Sequence, residues 1–344
     1  LVDAYSWHKI FDVNVPVGVL AVLLAAFVQK EWKNQTRSPF DWQGFAAIVL
    51  FMPLAIYALA RGNSPSNPGG WSAPEVIGCF IVAGAALAWF IVAELRNPAP
   101  LLQIRLLAER NFGISMAVLT LFAIGMLGGT YLLPLYMQRG LGYTALAAGS
   151  MFLPVGVIQG VLSAVSGYLT RYVRPLLLSA AGILIMALSF WLASRFTLHT
   201  THGHILFILY LRGFGMGLTF APLNLFSLKN LTQQDMAAAA GISNSIKQLA
   251  GSIGIALLTV IFSARTSYHA AHETVSAAQT YVEGVTDALR VVAVITLAAL
   301  LPLLGVFRKK RPGKSGVKGA ATPSPGEAVS GKTDKTTIYR TKPE

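Results

Sequence analysis

FGISMAVLTLFAIGMLGGTYLLPLYMQ (Phe112–Gln138) contains no charged side chain from end to end. A helix crosses the hydrocarbon core of a bilayer with about 20 mainly apolar residues, so this stretch alone is long enough to span. A barrel strand would take only about 9–11 residues. Backbone groups in lipid are satisfied only within helices or closed barrels, so the stretch is read as a helix. Eight more stretches read the same way: Phe11–Gln29, Trp42–Ala60, Val76–Glu94, Ala145–Tyr168, Pro175–Ser194, His204–Phe226, Ala237–Ala264 and Val285–Phe307. The expected fold class is an all-α polytopic membrane protein with nine transmembrane helices.

Composition agrees with that reading. Of the 344 residues 54% are hydrophobic and 12% charged, and mean hydropathy is +0.58. A soluble domain carries about 25% charged residues, so this chain has too little polar surface to cover a particle in water. The net charge of +13 is concentrated rather than spread: Arg308–Glu344 holds ten Lys/Arg against three acids. That pattern describes a basic tail on a membrane protein, and no nucleic-acid partner is expected. The tail is rich in Gly, Ser, Thr, Pro and Lys and is expected to be disordered. Cys79 is the only cysteine, so no intrachain disulfide can form. Leu1 rather than Met opens the chain with no basic segment before the first apolar stretch. No signal peptide is expected, and Leu1 is not expected to be a natural start.

Orientation follows from Lys and Arg in alternate connections. Lys30, Lys33, Arg37, Arg96, Arg105, Arg110, Arg171, Arg174, Lys229 and the tail fall on one side. Lys9, Arg61, Arg139, Arg195 and Arg265 fall on the other. The first side is read as cytoplasmic, giving a multi-pass protein of the inner (plasma) membrane with its N-terminus outside and its C-terminus inside. Arg61–Glu75 reads as a solvated external loop, and Arg265–Gly284 as an external segment with a short surface helix.

Small residues inside spans mark helix contacts, because a missing side chain lets two backbones approach where no hydrophobic effect drives association. Gly156 and Gly160 after Pro154, and Gly213 and Gly217 in RGFGMG, are the helix-packing candidates. RGFGMG is superficially similar to a nucleotide loop, but no strand precedes it and it lies within a span.

WHKIFDVNVPVG (Trp7–Gly18), RNF (Arg110–Phe112), LLPLYMQRGLGY (Leu132–Tyr143), AAGSMFLPVG (Ala147–Gly156), LRGFGMGLTFAPL (Leu211–Leu223) and AAGISNSIKQLAGSIGIAL (Ala239–Leu257) occur in order. Together they resemble the QacA/EmrB-like fourteen-helix drug:proton antiporters of the major facilitator superfamily. The resemblance implies two six-helix domains, two helices inserted between them, and export of amphipathic compounds by alternating access driven by inward proton flow. It assigns residues 1–29 to the last helix of the N-terminal domain, 30–94 to the inserted pair and 95–111 to a cytoplasmic connection. Residues 112–307 become the C-terminal six-helix domain and 308–344 the basic tail. About five N-terminal helices are then missing, and the chain looks N-terminally truncated. It departs from the family pattern at His8, Lys9 and Asp12, at Thr170 in GYLTRYVRP where an Asp is usual, and at Lys247 where an Arg is usual.

Lys247, Arg212, Asn244, Asn224 and Gln159 are the polar groups nearest mid-membrane and are the candidates for the substrate cavity. The bland reading is that the cations snorkel and the amides hold helices together. All fourteen Asp and Glu lie in connections, in the tail or within a turn of a span end, and all six His are read as external. The proton-coupling group is therefore unassigned, with Asp12 a weak candidate that reads equally as a helix cap. HTTHGH (His199–His204) is read as solvated loop histidines, so no metal is expected, and no cofactor either. No nucleophile–base constellation is present, so the chain is not read as an enzyme. The expected function is that of a fragment of a proton-coupled multidrug efflux transporter, with the lipid bilayer, a small amphipathic substrate and protons as partners and no stable protein partner. The alternative is a non-transporting membrane scaffold or an inactive remnant.

Overall fold

The computed structural model describes residues 9–28, 41–62, 64, 67–97, 104–233, 235–272 and 276–308. Every regular element among them is a helix. These are α1 (Lys9–Val28), α2 (Trp42–Gly62), α3 (Pro74–Arg96), α4 (Arg110–Leu135), α5 (Ala145–Ser150) and α6 (Leu153–Leu169). They are followed by α7 (Pro175–Ala193), α8 (His202–Leu228), α9 (Met236–His272), α10 (Ala277–Ala298) and α11 (Leu301–Arg308).

Local sequence sets the starts of several of them. Pro74 and Pro175 open α3 and α7 at a position where the missing N–H costs nothing. Glu109 caps α4 by accepting from Phe112 N at 2.7 Å, and Thr144 Oγ1 caps α5 by accepting from Ala147 N at 3.1 Å. Proline also sets the interruptions. The expected span Ala145–Tyr168 breaks at Met151–Phe152, just before Pro154. The last span breaks at Ala299–Leu300, just before Pro302. In each case the ring removes the hydrogen bond to the carbonyl four residues back. Past Pro134, α4 continues as a π turn, Tyr136–Gly140.

Among the described residues, eight helical stretches are long and apolar enough to cross a membrane, and they coincide with eight of the nine expected spans. α1 contributes an apolar stretch, Asn14–Phe27, among the residues whose side chains are described. The external segment differs from expectation. There is no separate surface helix between the last two spans among the described residues. Instead α9 runs on to His272, and α10 begins at Ala277, capped by Ser276 Oγ accepting from Gln279 N at 3.3 Å. Asp287 therefore stands well inside a helix, and it is buried.

The bundle is centred on α4, 61% of whose apolar window is buried, against 17% for the α5–α6 span. α4 packs on α9, α10 and α8; α8 packs on α6 and α7; α10 also packs on α7 and α9. The core between them includes Phe112, Phe122, Tyr136, Phe190, Ile208 and Leu289. α2 and α3 form a hairpin with its own small contact at Ala58, Ala73 and Val76, and α2 rests on α9. The Arg61–Glu75 segment carries its own order: Asn67 is buried and donates to Arg61 O and Gly70 O at 3.1 and 2.9 Å. Among the described residues α1 packs extensively on none of the other helices, and its described apolar side chains are exposed, Val22 at 70% and Phe27 at 87%. The basic tail expected over 308–344 lies, after Arg308, outside the described residues.

Candidate functional site

The RGFGMG segment sits at the centre of α8 with glycines facing two different helices. A Cβ on Gly213 would lie 3.1 Å from Val155 O, and one on Gly217 2.6 Å from Leu162 Cβ and 3.0 Å from Gln159 O, all on α6. A Cβ on Gly215 would lie 2.8 Å from Met186 N on α7. Gly182 of α7 reciprocates, its Cβ position 2.8 Å from Gly215 O. Two hydroxyls bridge the same contacts: Ser166 Oγ donates to Gly217 O at 2.9 Å and Ser179 Oγ to Thr219 O at 3.3 Å. α8 is thus clasped backbone to backbone between α6 and α7, as the packing of helices in lipid favours. Gly156 and Gly160 lie elsewhere, with nothing within 4 Å of an added Cβ, on the exposed side of α6.

A second glycine cluster was not singled out in the sequence. GMLGG (Gly125–Gly129) gives α4 three bare positions toward three neighbours: Gly125 against Thr296 of α10, Gly128 against Leu258 and Gly254 of α9, and Gly129 against Phe190 of α7. The signal was visible as three glycines within five residues of a span.

The polar candidates divide by environment. Arg212 is buried within the bundle, only 2% exposed. Its Nη2 donates to Thr130 Oγ1 and, at 3.4 Å, to Met126 O on α4, and the guanidinium lies 5.6 Å from the Phe190 ring centre. Nε and Nη1 are buried with no hydrogen-bond partner among the described residues. Lys247 is half-buried on α9 and makes no ion pair or hydrogen bond among the described residues. Asn244, one turn earlier on the same helix, is exposed, as is Asn224 on α8, while Gln159 on α6 is half-buried. α9 and α8 are separated by α4 rather than packed on one another, so the structure gathers the candidates into no single contact cluster. Asp12 lies exposed in the first turn of α1. Among the described residues no group of three His, Cys, Asp or Glu is arranged to hold a metal ion.

Long apolar helices packed through bare backbone define a multi-pass helical membrane protein. The chain belongs to the Major Facilitator Superfamily, whose sequence profile matches residues 1–255. It is similar to the multidrug export protein EmrB of Escherichia coli K12, with 32% identity over 80% of this chain and 53% of that protein. It is also similar to the fatty acid resistance protein FarB of Neisseria gonorrhoeae (28%; 77% of this chain, 52% of that one). The lincomycin resistance protein LmrB of Bacillus subtilis matches at 25% (77% and 55%). The chain spans about half the length of the curated relatives it matches.

Proposed function

We propose that this chain is the C-terminal portion of a proton-coupled exporter of small amphipathic compounds in the plasma membrane. In this reading 112–307 form its C-terminal six-helix domain, 30–94 the inserted hairpin and 1–29 the last helix of the other domain. The observation that carries the proposal is the exposure of Asn224 and Asn244 beside half-buried Lys247 and Gln159 within long apolar helices. Amides and an ammonium gain nothing from lipid tails, so a surface that presents them at membrane depth is built to meet water, substrate or another part of the protein. Relatives named for multidrug export and lincomycin resistance support an export role. Lys247, Arg212, Asn244, Asn224 and Gln159 remain the residues proposed to face or support the cavity. Transport then follows by rocking two bundles about a midplane site.

The test uses proteoliposomes under an imposed pH gradient. The 344-residue chain alone should show no drug efflux, and the same chain extended upstream through five further spans should export. In the extended protein, Lys247→Met should lower transport strongly with melting unchanged, and Lys247→Arg should retain it. Normal transport by a well-folded Lys247→Met protein rules out that site assignment. Absence of any efflux from the extended protein favours a scaffold or an inactive remnant.

A further inference from the structure

The extension of α9 and α10 beyond their apolar runs brings together a charged cluster that no transport role above uses. Gly284 allows the approach: a Cβ there would collide with Thr266 Oγ1 and lie 3.1 Å from Thr266 N on the facing helix. Around that contact, Asp287 receives Arg265 Nε at 2.7 Å and His269 Nε2 at 3.0 Å on Oδ2, and Arg290 Nη1 at 2.8 Å on Oδ1. The other ring nitrogen of His269, Nδ1, lies at an ion-pair distance of 3.5 Å from Glu283 Oε2, a buried oxygen that accepts no hydrogen bond among the described residues. Glu283 Oε1 accepts from Gln279 Nε2 at 3.1 Å. On its own helix His269 also meets the Tyr268 ring edge-on, and Tyr268 stacks on His272 at 4.4 Å and carries Arg265 over its face. From the π turn, Arg139 faces Tyr281 of α10, two residues before Glu283.

Both nitrogens of one imidazole thus confront carboxylate oxygens. Ionised carboxylates only accept hydrogen bonds, and a neutral imidazole donates from one nitrogen alone. Only the imidazolium can donate to Asp287 and at the same time present a second N–H and a positive charge to the Glu283 carboxylate. Asp287 is already satisfied by two guanidinium groups, so it is the link to Glu283 that depends on the extra proton. The side chains of His269 and Asp287 are almost wholly buried and that of Glu283 is about one-third exposed, which shields the pairing from salt while leaving a route for protons.

We infer that His269 and Glu283, supported by Asp287, form a proton-binding site at the mouth of the α9–α10 hairpin, and that the bound proton clamps the two helices together. The clamp is complete when the imidazole is charged and is lost as pH rises through its titration, in the range of about pH 5–8 where histidine changes charge. The clamp stands on contact geometry. Its placement on the external face, where an exporter of this kind takes up protons, rests on the orientation read above.

Thermal melting of the complete 344-residue protein in detergent at pH 5.5 and pH 8.0 tests the clamp. Acid should raise the wild-type midpoint by about 2–4 °C more than it raises that of Glu283→Gln. A glutamine amide can serve a charged or a neutral imidazole, so this variant loses the linkage without losing the contact. His269→Gln should be equally flat, and His204→Gln, exposed elsewhere, should keep the wild-type response. A Glu283→Gln protein with the full wild-type pH response, or offset from wild type by the same amount at both pH values, overturns the inference. Thiol labelling that reverses the topology moves the clamp to the other compartment and leaves the melting result untouched, so the two failures are distinguishable.

Discussion

A methyl group added at Gly217 would meet Leu162 Cβ at 2.6 Å, whereas one added at Gly160 would meet nothing within 4 Å. Gly217→Ala must therefore push α6 from α8, at about 1–3 kcal/mol for an overpacked contact. Gly160→Ala should be neutral or stabilising by about 0.5–1 kcal/mol, since alanine loses less freedom in a helix. Detergent melting curves that rank the two variants the other way would refute this packing. The spacing of Gly156/Gly160 equals that of Gly213/Gly217, so the sequence could not tell which pair is covered; that depends on which neighbour a helix face meets. Arg212 poses the complementary case. A buried guanidinium whose Nε and Nη1 find no hydrogen-bond partner among the described residues carries a desolvation cost that an apolar side chain of similar length avoids. Arg212→Met should hold or raise the melting point, and Thr130→Val, which strips away the one hydroxyl the cation holds, should lower it. A large loss of stability in Arg212→Met would mean that the charge is compensated in the folded protein. The sequence placed Arg212 within an apolar span; its partners Thr130 and Phe190 lie on other helices and left no local sign.

Whole helices were read more fully than their contacts, because an apolar run long enough to span leaves a lone helix no other way to satisfy its backbone. Their ends followed less well. α9 and α10 continue past their apolar runs because Gly284 lets them pack as a hairpin, which hydropathy does not register. The interruptions at Met151–Phe152 and Ala299–Leu300 fall just before Pro154 and Pro302, so the residue type that breaks these spans stands in the sequence beside each break. Among the helix starts, α4 offers a test in solvent. Glu109 accepts from Phe112 N and from Asn230 Nδ2, the latter at 3.0 Å, tying the connection after α8 to the start of α4. Partial burial pushes its carboxyl up, but these hydrogen bonds and one from the Asn111 backbone outweigh that and hold it below its ordinary 4.5. A carboxyl whose folded pKa is depressed adds stability that is present above the unfolded value and lost as pH falls through the folded one. Glu109→Ala should therefore cost about 1 kcal/mol near neutrality, and the gap to wild type should close below about pH 4.5. A gap that persists in acid would mean that Glu109 acts through packing rather than through its charge.

For the molecule as a whole, orientation and cohesion can be tested separately. Thr201 precedes α8 and Gln233 lies between α8 and α9, both exposed and at opposite ends of α8. In a Cys79→Ala background, Thr201→Cys should react with an impermeant thiol reagent on intact cells and Gln233→Cys only after permeabilisation; the reverse pattern would invert the assignment. Cohesion turns on α1. The bundle from α4 to α11 shares one continuous core and the α2–α3 hairpin reaches it through α9, but α1 presents Val15, Val19, Leu20, Val22, Leu23 and Phe27 to its surroundings at 50–87% exposure. Those side chains share one broad side, but Val17, Gly18, Ala21 and Leu24 on the opposite side are exposed too, so α1 shows no face reserved for this bundle among the described residues. In a transporter whose other domain supplies its neighbours, such a helix is held by contacts outside this chain. Removing residues 1–40 should then leave the melting midpoint of the remainder unchanged in detergent. The same deletion from a chain extended upstream through five spans should break the continuity of the added domain and lower its stability. A fall in the midpoint of the shortened 344-residue chain would place α1 against the bundle, and the six-plus-two-plus-six helix arrangement would then have to be redrawn.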